Sequence, residues 1–595
     1  MAIESLTTTG INNLISSYID SENKKLVTPL KTRKSKYSNL STAYGSLSSK
    51  LTSFKSLLTN FKLTGGDSRF AYKKASSSNI NFLTATGSTT ASSGAYDIRV
   101  NQLAKNDVAL STNLLSSSAN GITGTHSFNL VTGDGANGEF VSNIDVTFDG
   151  TETNQEVMEN IRNAINADQA VVTSAAKTAS ASYSGGTSTF KIDVNGTEES
   201  ITVNGGGTYE ELIDEVINQV NVNIDGVTAE KVSDSPSAGD VKIKFTVNDT
   251  SKYISISHVS GFDLVTDLVI GVTKEKGAAG IVTSSTFNPD GSNTQLSINS
   301  KTTGLDYRIK ELSDITGSTA LSAIGLNLGA SRPAYDQNQD PDTAGFVYSD
   351  ITSANNQLNS KIDFNGLNIQ RNSNSIQDLS SGVTFDLKGV MQASDTTVSV
   401  SVENDVSEVK KQIEDFITKF NDVYKYAKEN SGVNSGNRGV FYSNANAAKI
   451  ISELTSLTYT QVDGIQTGNL SYLTQLGISF STSGGLSISE PTVLTEKLTN
   501  NMDQVEEMFN STNGIANKLY DFVNPYLGVE GYLAKARDSA DGGVSYLSDK
   551  ITSAQSRIDK SAIVLRNKYE RLQAQLAAML SSQSLIASLS GNFFQ

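Results

Sequence analysis

Several residue types that support chemistry are missing or rare in this 595-residue chain. It has no cysteine and no tryptophan, and its only histidines are His126 and His258. The lack of cysteine excludes disulfide bonds, thiol nucleophiles and the common cysteine-bearing zinc sites. Two histidines leave little scope for catalytic triads or imidazole-based metal sites. We therefore expect a protein that is not an enzyme and that carries no cofactor or metal.

Positive charge and long apolar runs are also scarce. The chain has 47 Lys and Arg against 62 Asp and Glu, which gives a net charge of −15. Proteins that bind nucleic acids neutralise phosphates with a basic surplus, so nucleic acid is not expected as a partner. No apolar run approaches the ~20 residues of a membrane-spanning helix, so no membrane insertion is expected. The N-terminus lacks a basic segment followed by a long apolar one, and we expect no cleaved signal peptide.

Two short motifs suggest chemistry but do not have the surroundings that the chemistry needs. Gly133–Gly138 matches the pattern GxGxxG, but the residues that follow are predicted to be extended rather than helical, so a hairpin loop is expected. Residues 336–342 carry the alternating oxygen-bearing side chains of a calcium loop. Pro341 occupies the position of the turn glycine and Val347 that of the bidentate glutamate, so a solvated acidic loop is expected.

Both ends of the sequence are predicted to be helical and to pack on each other. Near the N-terminus, apolar residues alternate at spacings of three and four, and near the C-terminus they recur at every seventh position. Both patterns are typical of coiled coils. The predicted seam consists of Leu40, Leu47, Leu51, Phe54, Leu58, Ile551, Ile558, Leu565, Leu572 and Met579.

The limits of these helices follow from helix breakers and from the apolar pattern. The N-terminal seam extends backwards through Leu30 and Leu26 to Ile19, with Arg33 as a polar interruption, and Pro29 should kink or divide the helix there. The C-terminal helix is predicted from Val544 onwards over about 65 Å. Residues 7–10 and 588–595 are poor helix formers, and we expect these ends to become ordered only in an assembly.

The middle of the chain is predicted to be rich in β-strands. Between residues 125 and 256 a strand–turn–strand–helix unit occurs twice, and each helix begins with a capping box. The capping residues are Thr153 with Glu156 and Thr208 with Glu211. Residues 75–93, which are rich in Ser, Thr and Asn, are predicted to form a linker. The predicted fold is α+β and multidomain, with long terminal coiled-coil helices that form a stalk and β-rich domains inserted between them.

Four stretches of the sequence resemble one known family, in the same order along the chain. The second of them is similar to a segment of that family with the pattern G-x-Y-x-I-x-V-x-Q-L-A. The stretches are Gly10–Asp20; Gly94–Ala104; Asp363–Ile376 with Gly382–Lys388; and Leu476–Ile478 with Gly485–Ile488 and Val505–Phe509. The chain resembles the flagellar filament cap family, also called hook-associated protein 2. The two repeated units look like the small strand–strand–helix module of flagellins and cap proteins.

The resemblance implies a structural role. A member of this family would cap the tip of the bacterial flagellar filament, promote flagellin polymerisation and prevent exported flagellin monomers from leaking away. The implied partners are flagellin, other copies of the chain in a ring with a pentamer expected, the hook–filament junction proteins and an export chaperone. The implied location is extracellular, at the distal tip of the flagellum, after export by the flagellar type III route.

The resemblance and the predicted elements together suggest four parts. Residues 1–42 and 560–595 would be terminal helical assembly segments, and residues 43–72 and 403–559 a helical leg or base domain. Residues 73–122 and 283–402 would form a β-rich head domain, and residues 123–282 the inserted α+β modules.

Two alternatives share the main sequence features. A hook–filament junction protein would also have helical termini and little cysteine, but it would form a helical layer rather than a closed ring. A surface adhesin could use exposed β modules to bind mucin-like glycans. An enzyme is the weakest alternative, because no pair of carboxylates stands out on the predicted β-rich scaffold.

Overall fold

The chain forms two compact units, each with its own helices and strands. The computed structural model describes residues 7–135, 138–232, 239–274, 276–434 and 437–591. The first unit comprises Met1–Lys74, Gly87–Ser93 and Glu403–Gln595, and the second comprises Ala75–Thr86 and Gly94–Val402. The combination of long terminal helices with many strands confirms the α+β prediction. None of the described helices combines the length and the apolar character needed to cross a lipid bilayer.

The helices and strands are named in chain order. The helices are α1 (Thr8–Glu22), α2 (Thr28–Phe61), α3 (Asn154–Ala167), α4 (Tyr209–Asn223), α5 (Leu264–Asp267), α6 (Ala278–Ile281), α7 (Val406–Ser431), α8 (Ala445–Tyr459), α9 (Pro491–Asn500), α10 (Met502–Asn510), α11 (Ile515–Val523) and α12 (Tyr532–Gly591). The strands are β1 (Lys73–Ser77), β2 (Leu83–Gly87), β3 (Gly94–Gln102), β4 (Asn106–Leu110), β5 (Leu114–Leu115), β6 (Thr123–Gly133), β7 (Glu139–Asp149), β8 (Val171–Thr173), β9 (Lys177–Thr178), β10 (Ser188–Val194), β11 (Thr197–Val203), β12 (Val227–Val232), β13 (Asp240–Val247), β14 (Ile254–Gly261), β15 (Gly271–Lys274), β16 (Val282–Phe287), β17 (Asn293–Thr303), β18 (Ile309–Asp314), β19 (Gly345–Phe346), β20 (Ser360–Phe364), β21 (Leu367–Arg371), β22 (Ser375–Ser380), β23 (Val383–Leu387), β24 (Val398–Asn404), β25 (Val433–Asn434), β26 (Asn437–Arg438), β27 (Ile478–Ser481) and β28 (Gly485–Ile488).

In the first unit, α1 and α2 are separated by one π-helical segment, Asn23–Val27. Pro29 lies in the first turn of α2, where its missing amide proton costs no helical hydrogen bond. The backbone stays helical from Thr8 to Phe61, so the expected kink or division at Pro29 corresponds to a change of helix type immediately before it. The prediction that residues 7–10 are poor helix is wrong. The side chain of Thr7 accepts a hydrogen bond from the Gly10 amide at 3.1 Å and so caps the start of α1.

The C-terminal helix α12 is longer than the apolar pattern predicts. It has 60 residues and therefore spans about 90 Å. The prediction starts too late because two adjacent glycines, Gly542 and Gly543, disfavour a helix in sequence terms. Gly543 is required by packing, since a Cβ there would lie 2.8 Å from the ring of Tyr37 on α2. The helix also continues through residues 588–591, which the sequence predicts to be poor helix; residues 592–595 lie outside the described ranges.

The core of the first unit is built mainly by α2 and α7 with the helices that follow α7. Rings of Phe54 and Phe416 lie 5.9 Å apart, and rings of Phe61 and Phe509 lie 5.5 Å apart. These rings are almost completely buried. Burying one such side chain contributes about 1.5–3 kcal/mol, so this aromatic cluster ties the N-terminal helix firmly to the C-terminal third of the sequence.

The second unit contains several small antiparallel sheets. The sheet orders are β1–β24–β3–β20–β21, β16–β17–β4–β19, β18–β6–β7, β12–β13–β8–β15, β11–β10–β14 and β2–β23–β22. The prediction of a linker at residues 75–93 is wrong, because β2 and the end of β1 occupy part of it. Leu83 is fully buried at the start of β2, and this single apolar anchor is too short a signal to predict a strand.

Both predicted strand–turn–strand–helix units are present, and each capping box is formed. Thr153 caps α3 with Glu156, and Thr208 caps α4 with Glu211. Their apolar cores are nevertheless different. The hairpin β6–β7 and α3 share a core with residues 278–346, whereas residues 170–268 enclose a core of their own.

The two ends of this separate core lie side by side. The amide of Ala278 donates a hydrogen bond to the carboxylate of Asp168 at 2.7 Å. A Cβ on Gly277 would lie only 1.9 Å from the carbonyl oxygen of Asp168, so the two chain crossings touch. Residues 169–277 therefore leave and re-enter the rest of the second unit at one place, as an insertion does.

Removing residues 169–277 and joining Asp168 to Ala278 should leave a folded protein. The core of residues 109–165 and 278–346 keeps its own side chains, and the new junction spans a gap that is already closed. Size-exclusion chromatography and a cooperative thermal transition would check this. The matched control removes residues 123–165, which should unfold the second unit because it takes away half of a shared core. Loss of folding in the first deletion would contradict the assignment of the insert.

A buried ion pair between Asp107 and Arg332 links β4 to the segment that precedes β19 in the second unit. The carboxylate of Asp107, which is fully buried, accepts a hydrogen bond from the Arg332 guanidinium at 2.9 Å and another from the Ile309 amide at 2.9 Å. The guanidinium also lies 4.1 Å from the centre of the Phe346 ring. The Asp107 carboxylate and the Arg332 guanidinium are each paired. Removing either group leaves the other largely shielded from solvent and without its partner.

Asp107→Ala should lower the free energy of unfolding of the second unit by about 3–5 kcal/mol, because the Arg332 side chain, which is only 12% exposed, would lose its carboxylate partner. Asp378→Ala is the matched control. Asp378 pairs with Arg371 at 2.8 Å, but the two side chains are 61% and 37% exposed, so the expected loss is below about 1 kcal/mol. Urea unfolding of both variants would measure the difference. Equal losses would show that burial of the Asp107 pair is not what stabilises β4.

Candidate assembly surface

The terminal helices meet through two small apolar clusters in the first unit. Ile11 and Ile15 of α1 are buried with Ala562 of α12, and farther along Val27 is buried with Ala554 and Ile558. A hydrogen bond of 2.7 Å from the Arg566 guanidinium to the Asn12 side chain lies beside the first cluster. The N- and C-terminal helices therefore pack on each other within one chain, over the stretch where small residues on α12 allow close approach.

The predicted seam residues separate into three groups. Leu47, Leu51, Phe54 and Leu58 are buried, and Leu40 is half-buried, but they share the core that α7 occupies. Ile558 is buried against the N-terminal helical segment, and Ile551 and Leu565 are half-buried there. Leu572 and Met579 are 40% and 69% exposed.

The predicted seam therefore does not lie against one partner along its whole length, and its assignment as a coiled coil stays a prediction. Its N-terminal half faces α7, because a helix with the same apolar spacing follows Asp405 and supplies larger side chains. Its C-terminal end is exposed at Leu572 and Met579, whereas the cluster that contains Ile11 and Ile15 of α1 includes Tyr569 as its last described residue on α12.

The uncovered part of α12 forms a candidate assembly surface. We call residues 572–587 the distal segment. Its exposed large apolar residues are Leu572, Met579, Leu580, Leu585 and Ile586, and three of them follow one another at every seventh position. No charged residue follows Arg571 in the sequence. A helix with an exposed apolar stripe and no charge is typical of an interaction surface that another helix covers.

Sequence reasoning found Ile558 and Leu565 at the contact between the terminal helices but missed other residues of that contact. The predicted seam includes Ile19, which is half-buried against both clusters, and Leu26, which is 38% exposed, whereas its neighbour Val27 is 3% exposed. The π-helical segment at 23–27 adds one residue to a turn and rotates the buried face by one position. Ile11, Ile15 and Tyr18 do follow the three-and-four spacing and could have been found. The buried Ala554 and Ala562 carry too weak an apolar signal.

The acidic loop at residues 336–342 and the GxGxxG match at residues 133–138 both contain residues that form hydrogen bonds within the chain. In the acidic loop, the Asn338 amide donates a hydrogen bond to the Asp336 carboxylate and lowers its pKa. Gly133 ends β6, which pairs with β7 as a hairpin; residues 136–137 of the GxGxxG match lie outside the described ranges.

His126 accepts a hydrogen bond from the Thr319 amide at 3.0 Å. Among the described residues, no three His, Asp or Glu side chains are grouped to hold a metal ion.

Two family models match the chain, and both describe the same protein family. The model for the N-terminus of flagellar hook-associated protein 2 matches residues 7–107, and the model for its C-terminus matches residues 358–581. Together they cover more than half of the sequence. The chain belongs to the flagellar hook-associated protein 2 family.

Relatives and solved structures of the same family are similar to parts of the chain. The B-type flagellar hook-associated protein 2 of Pseudomonas aeruginosa is 25% identical over 359 residues, which are 59% of this chain and 70% of that protein. The flagellar hook-associated protein 2 of Vibrio cholerae is 24% identical over 245 residues, 40% of this chain and 36% of that protein. The chain thus spans about a third of the length of this Vibrio relative. The D1–D2–D3 domains of the flagellar cap protein FliD from Escherichia coli superpose with a TM-score of 0.42 at 17% identity, covering 84% of this chain and 99% of that one.

Ile558→Ala and Leu572→Ala should have opposite effects, although both shorten an aliphatic side chain on α12. Ile558 is buried against Val27, so its truncation should cost about 2 kcal/mol or more and speed amide exchange of α1 by roughly thirtyfold. Leu572 is exposed, so its truncation should leave α1 exchange unchanged and weaken self-association. Hydrogen exchange and sedimentation velocity would measure the two effects. Faster α1 exchange in Leu572→Ala would show that the distal segment is covered within one chain.

Proposed function

We propose that the chain is a structural protein that caps the tip of the bacterial flagellar filament, promotes flagellin polymerisation and prevents leakage of exported flagellin monomers. Membership of the flagellar hook-associated protein 2 family carries this proposal. The two matched regions contain α1, α2, α7 and most of α12, which are the elements that pair the two ends of the chain. The role in assembly would reside in these elements.

Self-association is the part of the proposal that the distal segment supports. Leu572, Met579, Leu580 and Ile586 remain exposed on an uncharged stretch of helix, and a neighbouring helix would bury them. Burying a Leu, Ile or Met side chain contributes about 1.5–3 kcal/mol, so this segment offers a substantial drive for assembly. The same segments of neighbouring copies are suitable partners. The terminal helices would then form a coiled-coil stalk, in a ring for which we expect a pentamer.

The division into parts also belongs to the proposal. Residues 1–42 with 560–595 would be assembly segments, and residues 43–72 with 403–559 the leg or base domain. Residues 73–122 with 283–402 would form the head, and residues 123–282 the inserted modules of the flagellin type. The core shared by α3 and residues 278–346 argues that the first module belongs with the head, which leaves residues 169–277 as the insertion proper.

The partners and the location follow from the proposed role. Besides flagellin, the cap would meet the hook–filament junction proteins during assembly and an export chaperone before it. It would act outside the cell, at the distal tip of the flagellum, after export by the flagellar type III route. The absence of cysteine suits passage as an unfolded chain, because no crosslink can form on the way. The role requires no catalytic group and no cofactor.

Complementation of a strain that lacks the gene would test the proposed function. The full chain should restore motility and place flagellin in filaments. A chain that lacks residues 571–595 should fold but leave flagellin monomers in the medium, because the distal segment is missing. A chain that lacks residues 169–277 should restore filament growth, since the insert has its own core.

The readout is the ratio of flagellin in filaments to flagellin in the supernatant, and both truncated chains should be exported in equal amounts as a control. Two results would contradict the proposal. One is filament growth without leakage in the strain that lacks the gene. The other is full activity of the chain without residues 571–595 combined with failure of the chain without the insert.

A further inference from the structure

A cleft of about 750 Å³ opens beside α2 in the first unit. Its walls come from one face of α2, from the end of β26 and from the residues that follow β26. They bring together three cationic side chains, Arg33, Lys36 and Arg438, with the rings of Tyr37 and Tyr442. The guanidinium of Arg438 lies 4.7 Å from the centre of the Tyr442 ring. Both rings are more than a third exposed, so the cleft presents apolar surface and positive charge together.

The three cations of the cleft have no acidic partner within the described residues. The ion pairs formed there involve other Lys and Arg side chains and include none of these three. Acidic side chains outnumber basic ones in the chain, whose net charge is −15, so carboxylates are available to pair with these cations. Like charges that are held close together repel one another, and a carboxylate placed between them relieves that repulsion. The cleft therefore fits a segment that carries an apolar side chain next to an acidic one.

The same unit presents such a segment on the loop before α12. Val529 is 88% exposed, more than any other large apolar residue that the structure describes. The next residue, Glu530, has a side chain that is 87% exposed, and its ion pair with Lys535 at 3.1 Å is open to solvent and therefore weak. Gly528 has φ of +87° and its carbonyl accepts a hydrogen bond from the Gly531 amide at 3.1 Å. This turn holds Val529 and Glu530 outwards.

We propose that Val529 and Glu530 of one copy enter the cleft of a neighbouring copy. Val529 packs between the rings of Tyr37 and Tyr442, and the Glu530 carboxylate pairs with Arg438 and the cations of α2. The contact joins two different surfaces, the Val529–Glu530 turn of one copy and the cleft of the next. Each copy carries both surfaces, so repetition of the contact gives either a closed ring or a helical assembly of copies. The inference deepens the proposed function, on which it rests, because it names a contact through which copies would associate.

Disulfide trapping would test this contact, and the natural absence of cysteine makes it specific. Val440 lines the cleft and is 39% exposed, so Val529→Cys and Val440→Cys are both surface changes that should not disturb folding. On mild oxidation, the full-length chain with both substitutions should form covalent dimers and higher multimers. Each single variant should stay uncrosslinked, because the contact does not bring two equal positions together. An equimolar mixture of the two single variants should yield the dimer.

A second pair serves as the matched control. Val564 is 69% exposed on α12, so Val529→Cys combined with Val564→Cys has the same chemistry without the cleft and should not form multimers. Glu530→Lys added to the crosslinking pair should slow disulfide formation at least about tenfold, and further addition of Arg438→Glu should restore much of the rate.

Each remaining outcome would overturn the inference. One is a disulfide within a single chain, and another is crosslinking of the Val564 pair at the same rate. A third is no crosslinking of the double variant at concentrations where light scattering shows the full chain to be oligomeric. In that case copies associate through other surfaces, and the proposed capping function still stands. If the chain stays monomeric in light scattering and does not crosslink, the contact does not exist. The complementation experiment then decides the capping function separately.

Discussion

The packing of α2 between α7 and α12 is the interaction on which the first unit depends. These helices come from opposite ends of the sequence, and more than 300 residues separate α2 from α7. Closing so long a loop costs conformational entropy, although the cost rises only slowly with length. The buried rings of Phe54, Phe61, Phe416 and Phe509 repay that cost. The helical unit can therefore carry a long inserted segment without losing its own core.

The same arrangement explains how a 60-residue helix remains ordered in one chain. Its first part is anchored in the large core through Leu533, its middle lies against α2 at Gly543 and Tyr37, and the following turns are held by Ile15 and Val27. Along α12, packing within the same chain therefore decreases. The first part lies in a large core, the next turns lie against small clusters, and the end is exposed to solvent. The surface available for assembly thus begins where the support from the same chain ends.

Much of this structure could be predicted from local signals. The capping boxes at Thr153 and Thr208 each depend on one or two side chains acting on the nearest backbone, and such effects are readable in sequence. The element against which an apolar face packs could not be predicted in the same way. Leu51 and Ile558 share the same kind of pattern, yet one faces α7 and the other faces the N-terminal helical segment. Periodicity indicates that a face is buried and does not say against what. The register at Val27 depended on a π-helical turn, which leaves no recognisable pattern in the sequence.

The uncharged end of α12 has a consequence for the conditions under which contacts made there persist. Salt screens interactions between exposed charges over about 10 Å at 0.1 M ionic strength, but it has little effect on the burial of neutral apolar side chains. Since no charged residue follows Arg571, contacts through Met579, Leu580 and Ile586 should hold in dilute and in saline surroundings alike. Contacts made by the distal segment in the proposed assembly would thereby tolerate wide changes in ionic strength.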